Sequence, residues 1–290
     1  MGDLEQVLID GQSFAVADAA VPVLERTLHY GDGLFETIGC LQGRPRLLGR
    51  HLRRLSDGCQ RLGLDGVDST TIAHEVRALA GGTSRAIIKL LLSRGTALAR
   101  GYGLTGGERA RRIVLRYTWP PDDPGAREQG VRVRLATLRL GENPALAGIK
   151  HCNRLEQVLA RQEWTDPAIA EALLFSSSGA LVSGIMSNVF LVQGSRLLTP
   201  RIDRCGVAGV MRALILEIAA SAGLSAEEGR LGAADLEAAD ELFLTNAVTG
   251  IRPVREIDGL RRERGPITRR LQARLAAHFA GEIKSGGCGD

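Results

Sequence analysis

Gly148-Ile149-Lys150-His151-Cys152-Asn153-Arg154-Leu155-Glu156-Gln157-Val158-Leu159-Ala160-Arg161 sets a lysine just ahead of a helix-forming run. Asn153 can cap that helix, which the apolar spacing carries to about Trp164 with Leu155, Val158 and Leu159 on its inner face. The lysine stands out by its rarity: of 37 lysines and arginines, only Lys89, Lys150 and Lys284 are lysines. A chain that writes arginine wherever a surface charge suffices keeps lysine for what a guanidinium cannot do. An ammonium can be desolvated, lose its proton and attack a carbonyl. Lys284 falls in a polar, glycine-rich tail and reads as solvated, which leaves Lys89 and Lys150 as candidates.

Upstream of this stretch, Val7-Leu8-Ile9-Asp10-Gly11-Gln12 reads as a strand entering a hairpin, and Leu34 to Cys40 as a second strand closed by Gln42-Gly43. Leu48, Leu52, Leu55, Cys59 and Leu62 recur in steps of four and three, one apolar helix face with Arg50, Arg53, Arg54 and Arg61 off it. Arg85 to Ser93 and Arg112 to Thr118 are further strands. Trp119-Pro120-Pro121-Asp122-Asp123-Pro124-Gly125 continues neither strand nor helix, because its prolines lack amide donors, and it reads as a domain linker. Beyond it, Val131, Val133 and Leu135 alternate with Arg132 and Arg134 as a half-exposed strand. Strands follow at Glu171 to Phe175, Asn188 to Val192 and Glu241 to Thr245, and helices at Val210 to Ala222 and Ile267 to Phe279. Strands and helices mix without strict alternation, so the expected fold class is α/β in the α+β sense, with two domains. The boundaries read as 1–118 for an N-terminal domain, 119–128 for a linker and 129–290 for a C-terminal domain carrying Lys150.

A chain of 290 residues, 44% hydrophobic and 24% charged, can bury a full core. Its net charge of +4 is spread along the chain, which excludes a nucleic-acid footprint and leaves a small anionic substrate as the expected partner. Cys40, Cys59, Cys152, Cys205 and Cys288 are odd in number and lack metal-ligand spacing, so they read as free thiols of a reducing cytosol and no metal is expected. The acidic start Met1-Gly2-Asp3-Leu4-Glu5 leads into no long apolar run, and Gln6 breaks the myristoylation pattern, so neither signal peptide nor membrane anchor is expected. Gly31-Asp32-Gly33 fails as a dinucleotide fingerprint, since the third glycine would fall at Glu36 and a strand follows. No Walker A, HExxH or serine GxSxG sequence is present.

Four separated segments together resemble the branched-chain and D-amino-acid aminotransferase type of pyridoxal 5'-phosphate (PLP) enzyme, known as fold type IV. Tyr30-Gly31-Asp32-Gly33-Leu34-Phe35-Glu36-Thr37 is similar to that family's YGDGxFE(T) signature. His51-Leu52-Arg53-Arg54-Leu55 is similar to its H-(L/M/I)-x-R-L helix, which implies that Arg54 holds the cofactor phosphate. The segment around Lys150 resembles the K-H-x-N-R-L-E-Q-V-L motif of aminodeoxychorismate lyases, where the lysine carries PLP as a Schiff base. Leu181-Val182-Ser183-Gly184-Ile185-Met186-Ser187-Asn188-Val189-Phe190 resembles V-T-E-G-x-x-S-N-(L/V)-F, with Ser183 where the family has the glutamate that pairs with the pyridine nitrogen.

The resemblance implies further roles. Gly209-Val210-Met211-Arg212 matches a G-(I/V)-x-R helix start, which places Val210 and Met211 at the phosphate, and Thr245-Asn246-Ala247 matches the loop that completes the cradle. Asn188 joins the cofactor set with Ser183 and Ala247. Ser93-Arg94-Gly95 and Arg100-Gly101-Tyr102 are similar to the lyases' S-R-G…R-G-Y, so Arg94 or Arg100 meets a substrate carboxylate, and Lys89 and Phe35 line the same pocket. The activity implied is conversion of 4-amino-4-deoxychorismate to p-aminobenzoate and pyruvate, in folate biosynthesis, by a cytoplasmic homodimer with PLP between the two domains of each subunit. A carboxylate keeps the pyridine protonated and a strong electron sink, whereas a serine hydroxyl can leave it neutral. Aromatisation offsets that loss in a lyase, and a transaminase has no such help. An aminotransferase for D-alanine or branched-chain amino acids is the alternative, and a binding protein that has kept the fold but lost the chemistry is a second.

Overall fold

A computed structural model describes residues 2–121 and 123–284, with only the backbone for 282–284; Cys288 lies outside the described residues. The chain divides into two compact units, one running to Pro121 and including Ile149–Asn153, the other taking up 123–148 and 154–284.

In the first unit, β1 (Leu4–Ile9) and β2 (Gln12–Phe14) are followed by the short α1 (Arg26–Tyr30), then β3 (Gly33–Leu41) and β4 (Arg44–Pro45). The helices α2 (Leu48–Leu62) and α3 (Ser69–Ala80) precede β5 (Arg85–Ser93) and β6 (Arg111–Thr118). The two hairpins close on Asp10-Gly11 and Gln42-Gly43, all four residues at positive φ, the geometry that keeps a two-residue turn in step with strand twist. The strands form one antiparallel sheet in the order β2-β1-β6-β5-β3-β4. Its side chains alternate. Leu34, Ile38, Cys40, Ile88, Leu90, Leu92 and Val114 are buried on the face that α2 and α3 cover. Phe35, Thr37, Lys89 and Leu91 share the other face, since Phe35 lies opposite Leu91 and Thr37 opposite Lys89.

The helix expected over Leu48–Leu62 spans those residues. The helix α3 was not expected; Asp68 caps it by accepting the N–H groups of Thr70 and Thr71.

The second unit opens with α4 (Pro124–Glu128) and β7 (Val131–Leu140), then α5 (Leu155–Arg161), β8 (Ile169–Ser176), β9 (Leu181–Gly184), β10 (Asn188–Gln193) and β11 (Arg196–Pro200). After α6 (Val210–Ser221) come β12 (Ser225–Gly229), α7 (Ala233–Glu237), β13 (Glu241–Asn246), β14 (Gly250–Ile257), β15 (Leu260–Arg261) and α8 (Pro266–Lys284). The sheet runs β12-β11-β10-β13-β14-β7-β8-β9, with β15 beside β14. It is mixed: β7 pairs in parallel with both β8 and β14, and β11 with β12. The sheet curls so that β9 lies against β10 and β11. Leu173, Phe175, Leu181, Val189, Leu191, Leu242, Leu244 and Val254 fill one core, and Ala136, Leu140, Ala160, Trp164, Ala172, Leu174 and Val182 another. No helix among the described residues is long and apolar enough to cross a membrane.

Five expectations change. Pro124 does not extend the linker but starts a helix, at the position where a missing N–H costs nothing and Asp123 can cap by accepting from Ala126. Lys150 does not group with the C-terminal domain; Ile149–Asn153 packs with the first unit because its backbone hydrogen-bonds to β3. Asn153 does not cap α5, whose N-cap is Arg154; its side chain donates instead to the Gly31 carbonyl at 3.1 Å. Leu155, Val158 and Leu159 do not face inward but are 70%, 50% and 47% exposed, and Ala160 is the residue α5 buries. Lys284 closes α8 rather than lying in a tail beyond it. Cys40, Cys59, Cys152 and Cys205 are free, and burial pushes the thiols of Cys40 up to about 12 and of Cys59 and Cys205 up to about 11, which keeps them unreactive.

Candidate active site

In the first unit the backbone of Lys150 is clamped to the start of β3. The Phe35 N–H donates to the Lys150 carbonyl at 2.9 Å, the Cys152 N–H donates to Gly33 at 2.9 Å, and His151 bridges Leu34. These bonds aim the lysine across the open face of the sheet. Its Nζ stands 4.3 Å from the centre of the Phe35 ring, and Lys89 Nζ stands 5.6 Å from the same ring. Phe35, Lys89 and Lys150 are thus brought together from three distant places in the sequence. An amine half-sheltered on an aromatic face suits covalent chemistry with a carbonyl.

On the covered face of the same sheet, Glu36 lies between two residues of α2. Arg54 donates Nε to Glu36 Oε1 at 2.8 Å and Nη2 to Oε2, and His51 Nδ1 stands 2.6 Å from Oε2. Glu36 and His51 have side chains 1% exposed and Arg54 13%, so Arg54 is no solvated helix arginine. Burial pushes the Glu36 carboxyl up, but Arg54 and His51 outweigh it and hold it down to about 2. Burial pushes His51 down, against the pull of Glu36, which its Nδ1 faces. Its Nε2 is buried without a hydrogen-bond partner among the described residues. The fork fixes the Arg54 guanidinium.

Asp32 performs a similar service for two other arginines. Arg26 Nε reaches Asp32 at 2.8 Å, and Arg94 reaches it through Nε at 2.7 Å and Nη2 at 3.0 Å. Arg94 also donates to the carbonyls of Gly63 and Leu62, each at 2.7 Å, and so closes the C-terminal end of α2. Burial raises the Asp32 carboxyl, yet the two arginines leave it below the usual range. Every nitrogen of the Arg94 guanidinium is therefore committed within the fold. Arg100 is exposed.

In the second unit Ser183 sits on β9 opposite Leu174, 8% exposed, its hydroxyl making no hydrogen bond among the described residues. Asn188 begins β10, pairs with Thr245 on β13 and donates Nδ2 to the Val207 carbonyl at 2.9 Å. Its other side-chain atom, Oδ1, fills the space where a Cβ on Gly209 would stand, so only glycine fits at the start of α6. No side chain caps α6 and its first turn carries no acid. The leading amides of Val210 and Met211, both buried, have no carbonyl within the helix and lie at the positive end of its dipole, an arrangement that suits a dianion. Thr245 Oγ1, beside Asn188, is buried without a partner among the described residues, and Asn246 Oδ1 accepts from Val248 and Thr249, which shapes the turn bearing Ala247. The donors fit a phosphate.

Two carboxylates that organise these positions, Asp32 and Glu171, were not singled out in the sequence. The signal for Glu171 was available: a lone charge within the apolar run Ile169–Phe175. It is 1% exposed and pairs with Arg252 at 3.1 Å. Burial pushes its carboxyl above the usual range, against the pull of Arg252 and the N–H of Met186.

An amino-transferase class IV model matches residues 33–257, and the chain belongs to that family, whose enzymes depend on PLP and share fold type IV. Among its relatives is an aminodeoxychorismate lyase of Vibrio harveyi, 33% identical over 88% of this chain and 95% of that one. The crystal structure of 4-amino-4-deoxychorismate lyase from Pseudomonas aeruginosa superposes with a TM-score of 0.88, at 42% identity over 93% of this chain and 98% of that one. A branched-chain-amino-acid aminotransferase of Pseudomonas aeruginosa is 28% identical over 94% of this chain and 92% of its own length.

Proposed function

We propose that this chain is a PLP-dependent lyase that converts 4-amino-4-deoxychorismate to p-aminobenzoate and pyruvate. The observation that carries the reading is the pair of amines, Lys150 and Lys89, whose Nζ atoms stand 4.3 and 5.6 Å from the centre of one phenyl ring, that of Phe35. One amine serves the chemistry. The second suits a substrate with two carboxylates, which aminodeoxychorismate is and a branched-chain amino acid is not. Of the two candidate arginines, Arg100 is the one whose guanidinium is left for a substrate carboxylate, because Arg94 is committed to Asp32, Leu62 and Gly63.

In the second unit the amides of Val210 and Met211 and the turn at Ala247 would hold the phosphate, with Asn188 setting the helix start and Ser183 meeting the pyridine nitrogen; the resemblance of the His51–Leu55 segment assigns Arg54 to the phosphate as well. When bound, PLP supplies a carbonyl for the amine and an electron sink beside the substrate nitrogen. Lys150 Nζ takes the proton from the ring carbon that bears the substrate nitrogen. The electron pair left behind completes the aromatic ring as the neighbouring C–O bond breaks, and pyruvate departs as its enol; no water or oxidant is consumed. Because aromatisation drives the step, Ser183 is tolerated where a transaminase would need a carboxylate.

The same reading carries the homodimer and a cytoplasmic setting. The apolar stripe that α5 leaves in solvent, Leu155, Val158 and Leu159, is surface of the kind an assembly covers. The test incubates the PLP-loaded protein with aminodeoxychorismate and follows p-aminobenzoate and pyruvate together, with Lys150→Ala as the blank. Equal release of both, abolished in the variant, supports the lyase. No release from a protein that carries PLP points to an aminotransferase for D-alanine or branched-chain amino acids, and a protein without the visible absorbance of bound PLP points to a binding protein.

A further inference from the structure

The Gly184–Asn188 turn joins β9 to β10, and the two ends of it carry Ser183 and Asn188. Its conformation is held from one point. Glu171, reaching from β8, accepts the Met186 N–H at 2.6 Å and the Ser187 hydroxyl at 2.9 Å on a single oxygen, Oε1. Its other oxygen takes Arg252 Nη2 at 3.1 Å. The packing is too close for any side chain at Gly184, whose Cβ would stand 2.5 Å from Glu171 Oε1. From this turn two contacts run on. Asn188 Nδ2 holds the Val207 carbonyl and Asn188 Oδ1 fills the space beside Gly209, where α6 begins. Met186 offers its carbonyl to Asn246 Nδ2 at 3.4 Å, next to Ala247.

We infer that Glu171 is a positioning residue for the cofactor: through Met186 and Ser187 it sets the turn that runs from Ser183 to Asn188, the asparagine beside the start of α6. The inference rests on the PLP reading above and assigns a role to a residue that makes no contact of its own with the phosphate amides. A carboxylate is required here. Only a group with two acceptor oxygens and no donor can take an amide, a hydroxyl and a guanidinium at once, and an amide in its place would set an N–H against one of those donors. Groups that orient direct ligands in this way are worth roughly 10–100-fold in affinity where they have been removed from metal sites.

The experiment compares the parent, Glu171→Gln and Ser187→Ala. It measures the PLP half-saturation point by absorbance, the absorption maximum of the bound cofactor as a function of pH, and the thermal midpoint of each protein without cofactor. Half-saturation is expected to rise about tenfold or more for Glu171→Gln and by a smaller factor for Ser187→Ala, with the bound absorption maximum or its pH dependence shifted in both. A role in folding alone would lower the thermal midpoint and leave the bound spectrum unchanged. Glu171→Gln that folds and binds PLP with the parent's half-saturation and spectrum overturns this inference and leaves the lyase reading standing. If Glu171→Gln does not fold, the same unchanged values in Ser187→Ala overturn it. A parent that binds no PLP overturns the cofactor reading and this inference with it.

Discussion

Glu36 shows how much one buried carboxylate can decide. Glutamine at this position keeps the shape but removes the charge, leaving the Arg54 fork buried against a neutral amide. Loss of one member of a buried ion pair costs about 3–5 kcal/mol, so Glu36→Gln is expected to lower the urea midpoint of unfolding sharply. The pH dependence follows from the direction of the shift. The carboxyl sits at about 2 in the folded chain against an ordinary value of 4.5, so its stabilisation is fully present above 4.5 and is lost as the pH falls toward 2. Urea midpoints of the parent should therefore drop between those limits, and those of Glu36→Gln should fall less over the same range. Glu171 contributes with the opposite sign: its carboxyl is raised, so what it adds is present in acid and lost as the pH climbs through its folded value. The arginines separate in a similar way. Arg94→Ala removes a buried partner of Asp32 and is expected to cost about 3 kcal/mol or more. Arg100→Ala is expected to leave stability within about 0.5 kcal/mol and to raise the KM for aminodeoxychorismate roughly tenfold, the weight of one charge-assisted contact. Equal KM values for Arg100→Ala and the parent would remove Arg100 from the substrate site.

At the level of elements, helix starts differ in what they are for. Asp68 satisfies the leading amides of α3 with its own carboxylate, whereas α6 begins at a glycine, with no side-chain cap, beside a buried asparagine. Asp68→Ala should thus lower the urea midpoint modestly and leave PLP half-saturation where it is. Gly209→Ala crowds Asn188 in a packed site, an overpacking cost of about 1–3 kcal/mol, and should weaken PLP binding as well. If the alanine variant bound PLP as the parent does, the start of α6 would not be the phosphate site. The contrast between α2 and α5 makes a related point. Both carry an apolar stripe at helical spacing. The α2 stripe packs on β3, while Leu155, Val158 and Leu159 of α5 stand in solvent. Periodicity reports that a face is apolar; what covers that face is set by the elements around it.

For the whole molecule, the exposed α5 stripe makes oligomeric state a sharp test. Sedimentation of the parent is expected at twice the chain mass of 31.0 kDa, and Leu155→Asp combined with Val158→Asp is expected to shift it toward the single chain. A dimer unmoved by both changes would place the interface elsewhere. The amino-acid sequence by itself determined the rarity of Lys150, the hairpin turns at Asp10-Gly11 and Gln42-Gly43, the helix at Leu48–Leu62 and most of the strands. Each of these is written in neighbouring residues, through turn chemistry, periodicity or composition. Tertiary structure alone decided that Glu36 would hold Arg54 and His51, that Asp32 would consume Arg94, that Lys89 and Lys150 would share the ring of Phe35, and that Glu171 would govern the turn between Ser183 and Asn188. Those partners are separated by between 15 and 115 positions, and which of them meet depends on strand register and on which face of a sheet is buried. Register and burial are properties of many long-range contacts summed, and no local pattern carries them.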